Sequence, residues 1–269
     1  MDASAIKEIV SLALSNEPVA EDGSAVIVPN DCEIRDISQF MERPRRFCGR
    51  FTTTHLGSFI DYCKSNETDS WALFVHKLGA VAYFDYGTHE KPGWREHRAV
   101  FDPELIPEYK LMLEKTMPGV NLTQLEMVDF LEDMGDAISA RSGDQDLTLS
   151  QAIAGVRNVS IERVKNTDTT VEDMSASRST LESIEAKSKK HLPTDLSVHV
   201  APVDGMSEHT QMLRVRVIDN NGEPRFMIRR VRDDRHRLEV EEGFSNMVSK
   251  AFTDDGVAPK HGPFIGSVG

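Results

Sequence analysis

Leu213-Arg214-Val215-Arg216-Val217, then Asn220-Asn221-Gly222-Glu223-Pro224, then Arg225-Phe226-Met227-Ile228-Arg229, is the most legible stretch of the chain. The first five residues alternate apolar and basic without a break, the period of a strand with one buried and one solvated face. An Asn-Gly pair between two such runs supplies backbone that tolerates positive φ, so the stretch predicts a β-hairpin. Arg214 and Arg216 then share the wet face, with some of Arg225, Arg229 and Arg230 opposite them. Working outward, residues 160–164, 181–186, 196–201, 212–218 and 225–231 read as short strands. Residues 239–252 read as a closing helix with Val240, Phe244, Met247, Val248 and Ala251 on one side. The tail from residue 253 holds four glycines and two prolines and is expected to be irregular.

Upstream the texture is mixed. Residues 4–14 carry apolar positions at helical spacing, stopped by Pro18, and residues 25–28 read as a strand. Residues 43–50 are basic and turn-rich, the composition of a solvated loop. Thr54 can cap a helix running through Lys64, with Leu56, Phe59, Ile60 and Cys63 on its stripe. Residues 70–76 and 79–86 are rich in strand formers and predict a hairpin, with a third strand over 97–101. Helices are expected over 103–115, where Pro107 limits the start, and from Asn121, with Gln124 completing a capping box. The stripe of the latter is Leu122, Leu125, Val128, Leu131, Met134 and Ile138. Its outer face is acidic (Glu126, Asp129, Glu132, Asp133, Asp136), and Gly143 ends it. Residues 147–156 predict a shorter helix.

Strands that cluster and then yield to helices, without βαβ alternation, give the α+β class: a mixed N-terminal half and a mostly antiparallel C-terminal half closed by a helix. The expected divisions are residues 1–52 (N-terminal helix and extended arm), 53–158 (α+β), 159–252 (antiparallel sheet and closing helix) and 253–269 (tail).

The 269 residues carry 39% apolar side chains, the level of a chain able to build a core. No apolar run reaches the roughly 18 residues of a membrane span, and the first residues lack a signal-peptide pattern. Three cysteines, Cys32, Cys48 and Cys63, form neither a disulfide framework nor a zinc spacing; together these features predict a cytoplasmic protein. A net charge of −13 opposes coating nucleic acid over the whole surface. Residues 213–237 invert the sign, with eight arginines against four acids, a local +4 that leaves −17 elsewhere. No phosphate-binding GxxxxGK[ST] or strand-associated GxGxxG occurs, nor GxSxG, HExxH or DxDxDG, and no cofactor is predicted.

Two constellations can carry chemistry. Residues 85–98 read Asp-Tyr-Gly-Thr-His-Glu-Lys-Pro-Gly-Trp-Arg-Glu-His-Arg. A hairpin there would gather Asp85, His89, Glu96 and His97 at one end of a sheet. Asp85, Glu96 and His97 are then candidates for acid–base work, and Asp85, His89 and His97 for holding a metal. The competing reading has Asp85 capping the turn and Trp94 packing over it. The second constellation is Arg214, Arg216, Arg225, Arg229, Arg230 and Arg232, whose guanidinium forks suit carboxylate or phosphate. Acids of the same chain, a neighbouring subunit and nucleic acid compete for them. Phe226 is the one aromatic nearby, which weighs against base stacking.

Three stretches, His55-Leu56-Gly57-Ser58-Phe59-Ile60-Asp61-Tyr62, Val81 to Asp85-Tyr86, and Pro92-Gly93-Trp94-Arg95-Glu96-His97-Arg98-Ala99, resemble the YfdQ-like family of uncharacterised proteins encoded by bacteriophages and prophages. Gln124 to Asp133 adds to the likeness, which is best over residues 53–140. It continues more loosely through Leu192-Pro193-Thr194, the arginine hairpin and the helix after Glu239. The resemblance implies a phage or prophage origin and a bacterial host cytoplasm, and supplies no catalytic residues. The leading expectation is a non-catalytic protein that forms homo-oligomers, its arginine hairpin meeting carboxylates of another copy. The alternative is a metal-dependent enzyme or binding protein acting on nucleic acid in phage DNA metabolism. A third reading is a modulator that binds a host or phage protein through the acidic helix.

Overall fold

A computed structural model describes residues 47–159 and 192–267. The helix expected over 4–14, the strands over 25–28, 160–164 and 181–186, and Cys32 lie outside the described residues. The elements in chain order are β1 (Gly49–Thr53), α1 (Leu56–Ser65), β2 (Ala72–His76), β3 (Gly79–Tyr83), β4 (His97–Phe101), α2 (Pro107–Lys115), α3 (Gln124–Met134), β5 (Ile138–Ser142), β6 (Gln145–Leu147), α4 (Leu149–Arg157), β7 (Asp195–Val200), β8 (His209–Asn220), β9 (Glu223–Arg230), α5 (Asp233–Asp254) and β10 (His261–Ile265). The class is α+β, with two five-stranded sheets ordered β1-β4-β3-β2-β10 and β6-β5-β7-β8-β9. No helix among the described residues is long and apolar enough to cross a membrane.

The first sheet is mixed: the β2–β3–β4 meander is antiparallel, while β1 joins β4 and β10 joins β2 in parallel. Residues 49–50, read as part of a basic loop, begin an edge strand. Phe51 is half-buried and stacks on Tyr62 of α1 at 4.4 Å, while Arg50 and Thr52 stay exposed. The tail expected to be irregular likewise supplies β10. Its strand character comes from pairing with β2 and not from its Gly- and Pro-bearing sequence. One face of this sheet is covered by α1 and α5, whose Phe59, Ile60, Val240, Phe244, Val248 and Phe252 form one core with Trp71, Leu73, Ala82 and Phe101. The closing helix thus serves the first sheet, and it begins at Asp233, ahead of the expected residue 239. Its N-cap, Arg232, sits in the left-handed region at φ 54° and offers no side-chain cap, so the usual start signal is missing.

The second sheet is antiparallel throughout. The Asn-Gly turn forms as read: Asn221 and Gly222 take φ 57° and 92°, and Asn220 pairs with Glu223. On one face Leu196, Val198, Leu213, Val215, Phe226 and Ile228 pack under Met127, Phe130, Leu131, Met134, Ala152 and Val156 of α3 and α4. The capping box of α3 lies at Thr123 and Glu126 instead of Asn121 and Gln124. Thr123 Oγ1 accepts the Glu126 N–H at 3.1 Å, and the Glu126 carboxylate accepts the Thr123 N–H at 2.7 Å, which holds that carboxyl below its ordinary range. Leu122 is drawn out of the helix because its N–H and C=O both bond Phe226 on the edge of β9, at 2.8 Å each. The stripe rotates accordingly: Met127 and Phe130 go in, and Leu125 is left 69% exposed. The helix also stops at Met134, not Gly143. Gly135 turns the chain at φ 48°, and Ile138 to Ser142 alternate as a strand paired with β6 and β7. α4 starts on a capping box of its own, Thr148 with Gln151.

Candidate functional site

The face of the second sheet opposite its helices is lined by polar side chains. Alternation along each strand places Ser139 and Arg141, then Asp195, Ser197 and His199, then Thr210, Met212, Arg214 and Arg216, then Arg225, Met227 and Arg229 on this side. One row crosses all five strands in register: Asp146, Arg141, Asp195, Arg214, Arg229. Its first four members alternate in sign and pair as Arg141 Nε–Asp146 Oδ1 at 2.6 Å and Arg214 Nε–Asp195 Oδ1 at 3.2 Å. The row then ends on two arginines face to face. Like charges directly across a ladder repel, so Arg214 and Arg229 hold positions that an external anion relieves.

The predicted arginines separate into three groups. Arg214, Arg216, Arg225 and Arg229 share the open face. Arg225 reaches Glu223 at 3.5 Å, whereas Arg216 and Arg229 form no ion pair among the described residues. Arg230 has the opposite register and is held by Asp233 at 3.3 Å, close to Tyr109. Arg232 stands at the start of α5. Where β9 stops, β8 runs on toward His209, and the first turn of α5 closes a cleft of about 450 Å³. Arg214, Arg232, Arg235, Gln211, His236 and Glu239 are among the residues lining it. Gln211 and His236 carry no obvious motif. The one available signal is a polar residue at an inward position of an otherwise alternating strand.

Gln211 is 1% exposed. Its amide donates to the carbonyls of Met212 (2.8 Å) and Val231 (2.9 Å), while its Oε1 has no partner. His236 is 7% exposed, and its Nε2 has no partner. Burial, reinforced by the neighbouring His209 ring at 6.2 Å, lowers the His236 pKa below 6.5 against the pull of Asp233 and Glu239. Above about pH 6.5 the ring is neutral in both folded and unfolded chains, and its contribution to stability is complete. As the pH falls through 6.5, the unfolded chain takes up the proton first, so stability drops until the lower folded value is passed. His97 is shifted in the same direction, by desolvation. We expect the melting temperature to fall between about pH 7.5 and pH 5.5, and His236→Gln to flatten that slope. An unchanged slope in the variant would remove His236 as its source.

The other constellation is a closed loop. Asp85 follows β3, and its two carboxylate oxygens accept the backbone N–H groups of Glu96 (2.9 Å) and His97 (3.1 Å). The Asp85 carbonyl accepts from Arg95 N at 3.3 Å, and Gly93 lies so close that a Cβ there would sit 1.7 Å from it. Arg95 lies over the Tyr86 ring at 5.1 Å. Trp94, expected to pack over the turn, is 73% exposed. Asp85 and His97 are thus brought together, with the His97 ring bonded to the Tyr62 hydroxyl at 3.2 Å, while His89 and Glu96 are exposed. No group of three or more His, Cys, Asp or Glu able to hold a metal ion occurs among the described residues. Cys63 is buried, its thiol pushed up to about 12 by desolvation and by Glu67, which suppresses the reactive thiolate.

Comparison with curated proteins and with solved structures finds no match. A family model does match, over residues 2–259, which takes in the second sheet, the arginine face, the cleft and every strand of the first sheet except β10. The chain belongs to that family, DUF2303, described as an uncharacterized conserved protein.

Proposed function

We propose that this is a non-catalytic, self-associating protein whose arginine-bearing sheet face docks on the acidic face of α3 in a second copy. The observation that carries this reading is the unbalanced end of the charged row: Arg214 opposite Arg229, with Arg216 beside them, on the face of the sheet opposite α3 and α4, which no helix covers among the described residues. The complementary surface is on the same chain. Asp129 and Asp133 on α3 and Asp136 in the turn after it are exposed and form no ion pair among the described residues, and Leu125 stands out on the same helix. Met212, 44% exposed between the arginines, gives that leucine an apolar counterpart. Charge complementarity sets register and partner choice, and a head-to-tail contact of this kind builds rings or filaments. The likeness to phage-encoded proteins supports a phage or prophage origin and work inside the host cytoplasm.

Light scattering of the full chain at low and high salt tests the proposal. Oligomers at low salt should dissociate as salt screens the contact. Arg216→Glu with Arg229→Glu should give monomers, and adding Asp129→Arg with Asp133→Arg should restore assembly. A wild-type protein that is monomeric at micromolar concentration in low salt ends the proposal.

A further inference from the structure

We infer that the cleft between the start of β8 and the start of α5 binds the phosphate group of a small phosphomonoester. Two independent features meet there. The first is cationic: Arg214, Arg232 and Arg235 line the cleft against Asp195 and Glu239. Arg214 is held by Asp195 and Arg235 by Glu239, at 3.2 and 2.8 Å, whereas Arg232 forms no ion pair among the described residues. Arg232 also caps a 22-residue helix without a side-chain acceptor, so the first N–H groups of α5 add their dipole at the same place. The acids of that first turn are already engaged, Asp233 by Arg230 and Asp234 by Arg237.

The second feature is buried. Gln211 and His236 are more than nine-tenths buried, line the cleft, and each keeps a polar atom without a partner. The Gln211 amide is pinned by two carbonyls, which leaves its buried Oε1 beside the cleft as an acceptor that no described group satisfies. Leaving such an atom unmet is costly, and a ligand that brings a hydrogen-bond donor recovers that cost. A guanidinium cluster beside a fixed acceptor suits an oxyanion that carries its own proton or hydroxyl. Hydrogen phosphate and sugar phosphates have one; sulfate does not. The cleft volume falls in the range of small-molecule sites.

The test is calorimetric titration of the full chain with inorganic phosphate, ribose 5-phosphate and sulfate. Both phosphates should bind saturably, and sulfate at least tenfold more weakly. Arg232→Gly should weaken phosphate binding at least tenfold while keeping the fold, because glycine takes the positive φ of that position readily. Arg157→Ala, on α4 and outside the cleft, should bind like the wild type. Absence of saturable binding by either phosphate at millimolar concentration overturns the site, as does an Arg232→Gly protein that binds equally well. Equal affinity for phosphate and sulfate overturns the role of Gln211.

Discussion

Phe244→Ala should cost about 3–5 kcal/mol, the range for emptying a fully buried aromatic site. Phe244 is 0% exposed, its ring stacked on Phe101 at 5.9 Å, and it joins α5 to the first sheet. Whole domains are stable by only about 5–15 kcal/mol, so one such cavity consumes much of the margin. The loss should also be uneven. The core of the first sheet draws on residues 59–101, on α5 and Val257, and on Val203 and Met206 of the β7–β8 connection, whereas that of the second sheet, from Tyr109 to Ile228, contains no residue of α5. Leu105 packs against both. Hydrogen exchange on the variant should therefore show protection lost in β2, β3 and α5 while α3, α4, β7 and β8 keep theirs. Simultaneous loss of protection in both sheets would mean that the two cores unfold as one cooperative unit.

That division of cores was hard to read from the chain. Local signals were strong where the element made its own case. The 213–229 hairpin is fixed by strict alternation and an Asn-Gly turn, and β2, β3 and β4 by dense strand formers. Elements that depend on distant partners left weak traces. β10 is a strand because β2 offers an edge, and β1 because β4 does. The Leu122 bridge to Phe226 spans more than a hundred residues; it moves the start of α3 and rotates its stripe, which no window of local periodicity can sense. The candidate site shows the same limit. Arginines on an alternating strand announce a charged face, but the repulsive opposition of Arg214 and Arg229 follows only from the register of β8 on β9. The cleft needs Gln211 from β8 together with Arg232 and His236 from the start of α5, and that helix starts on a left-handed arginine that resembles no ordinary cap.

Asp85→Ala should lower stability by about 2–3 kcal/mol, because two charge-assisted hydrogen bonds vanish together and leave the N–H groups of Glu96 and His97 without their acceptor. The estimate sits low in the range for such bonds because the Glu96 end is exposed to water. Asp85→Asn should recover only part of the loss, since its amide presents one acceptor and turns a donor toward the second N–H. Thermal unfolding of the three proteins measures the order. The same carboxylate decides between a structural loop and the metal-dependent reading of this region. With both oxygens already accepting from the backbone, divalent cations should leave the melting temperature of the wild type where it is. A cation-dependent rise that disappears in Asp85→Ala would instead make Asp85 a ligand, and would return the loop from architecture to chemistry.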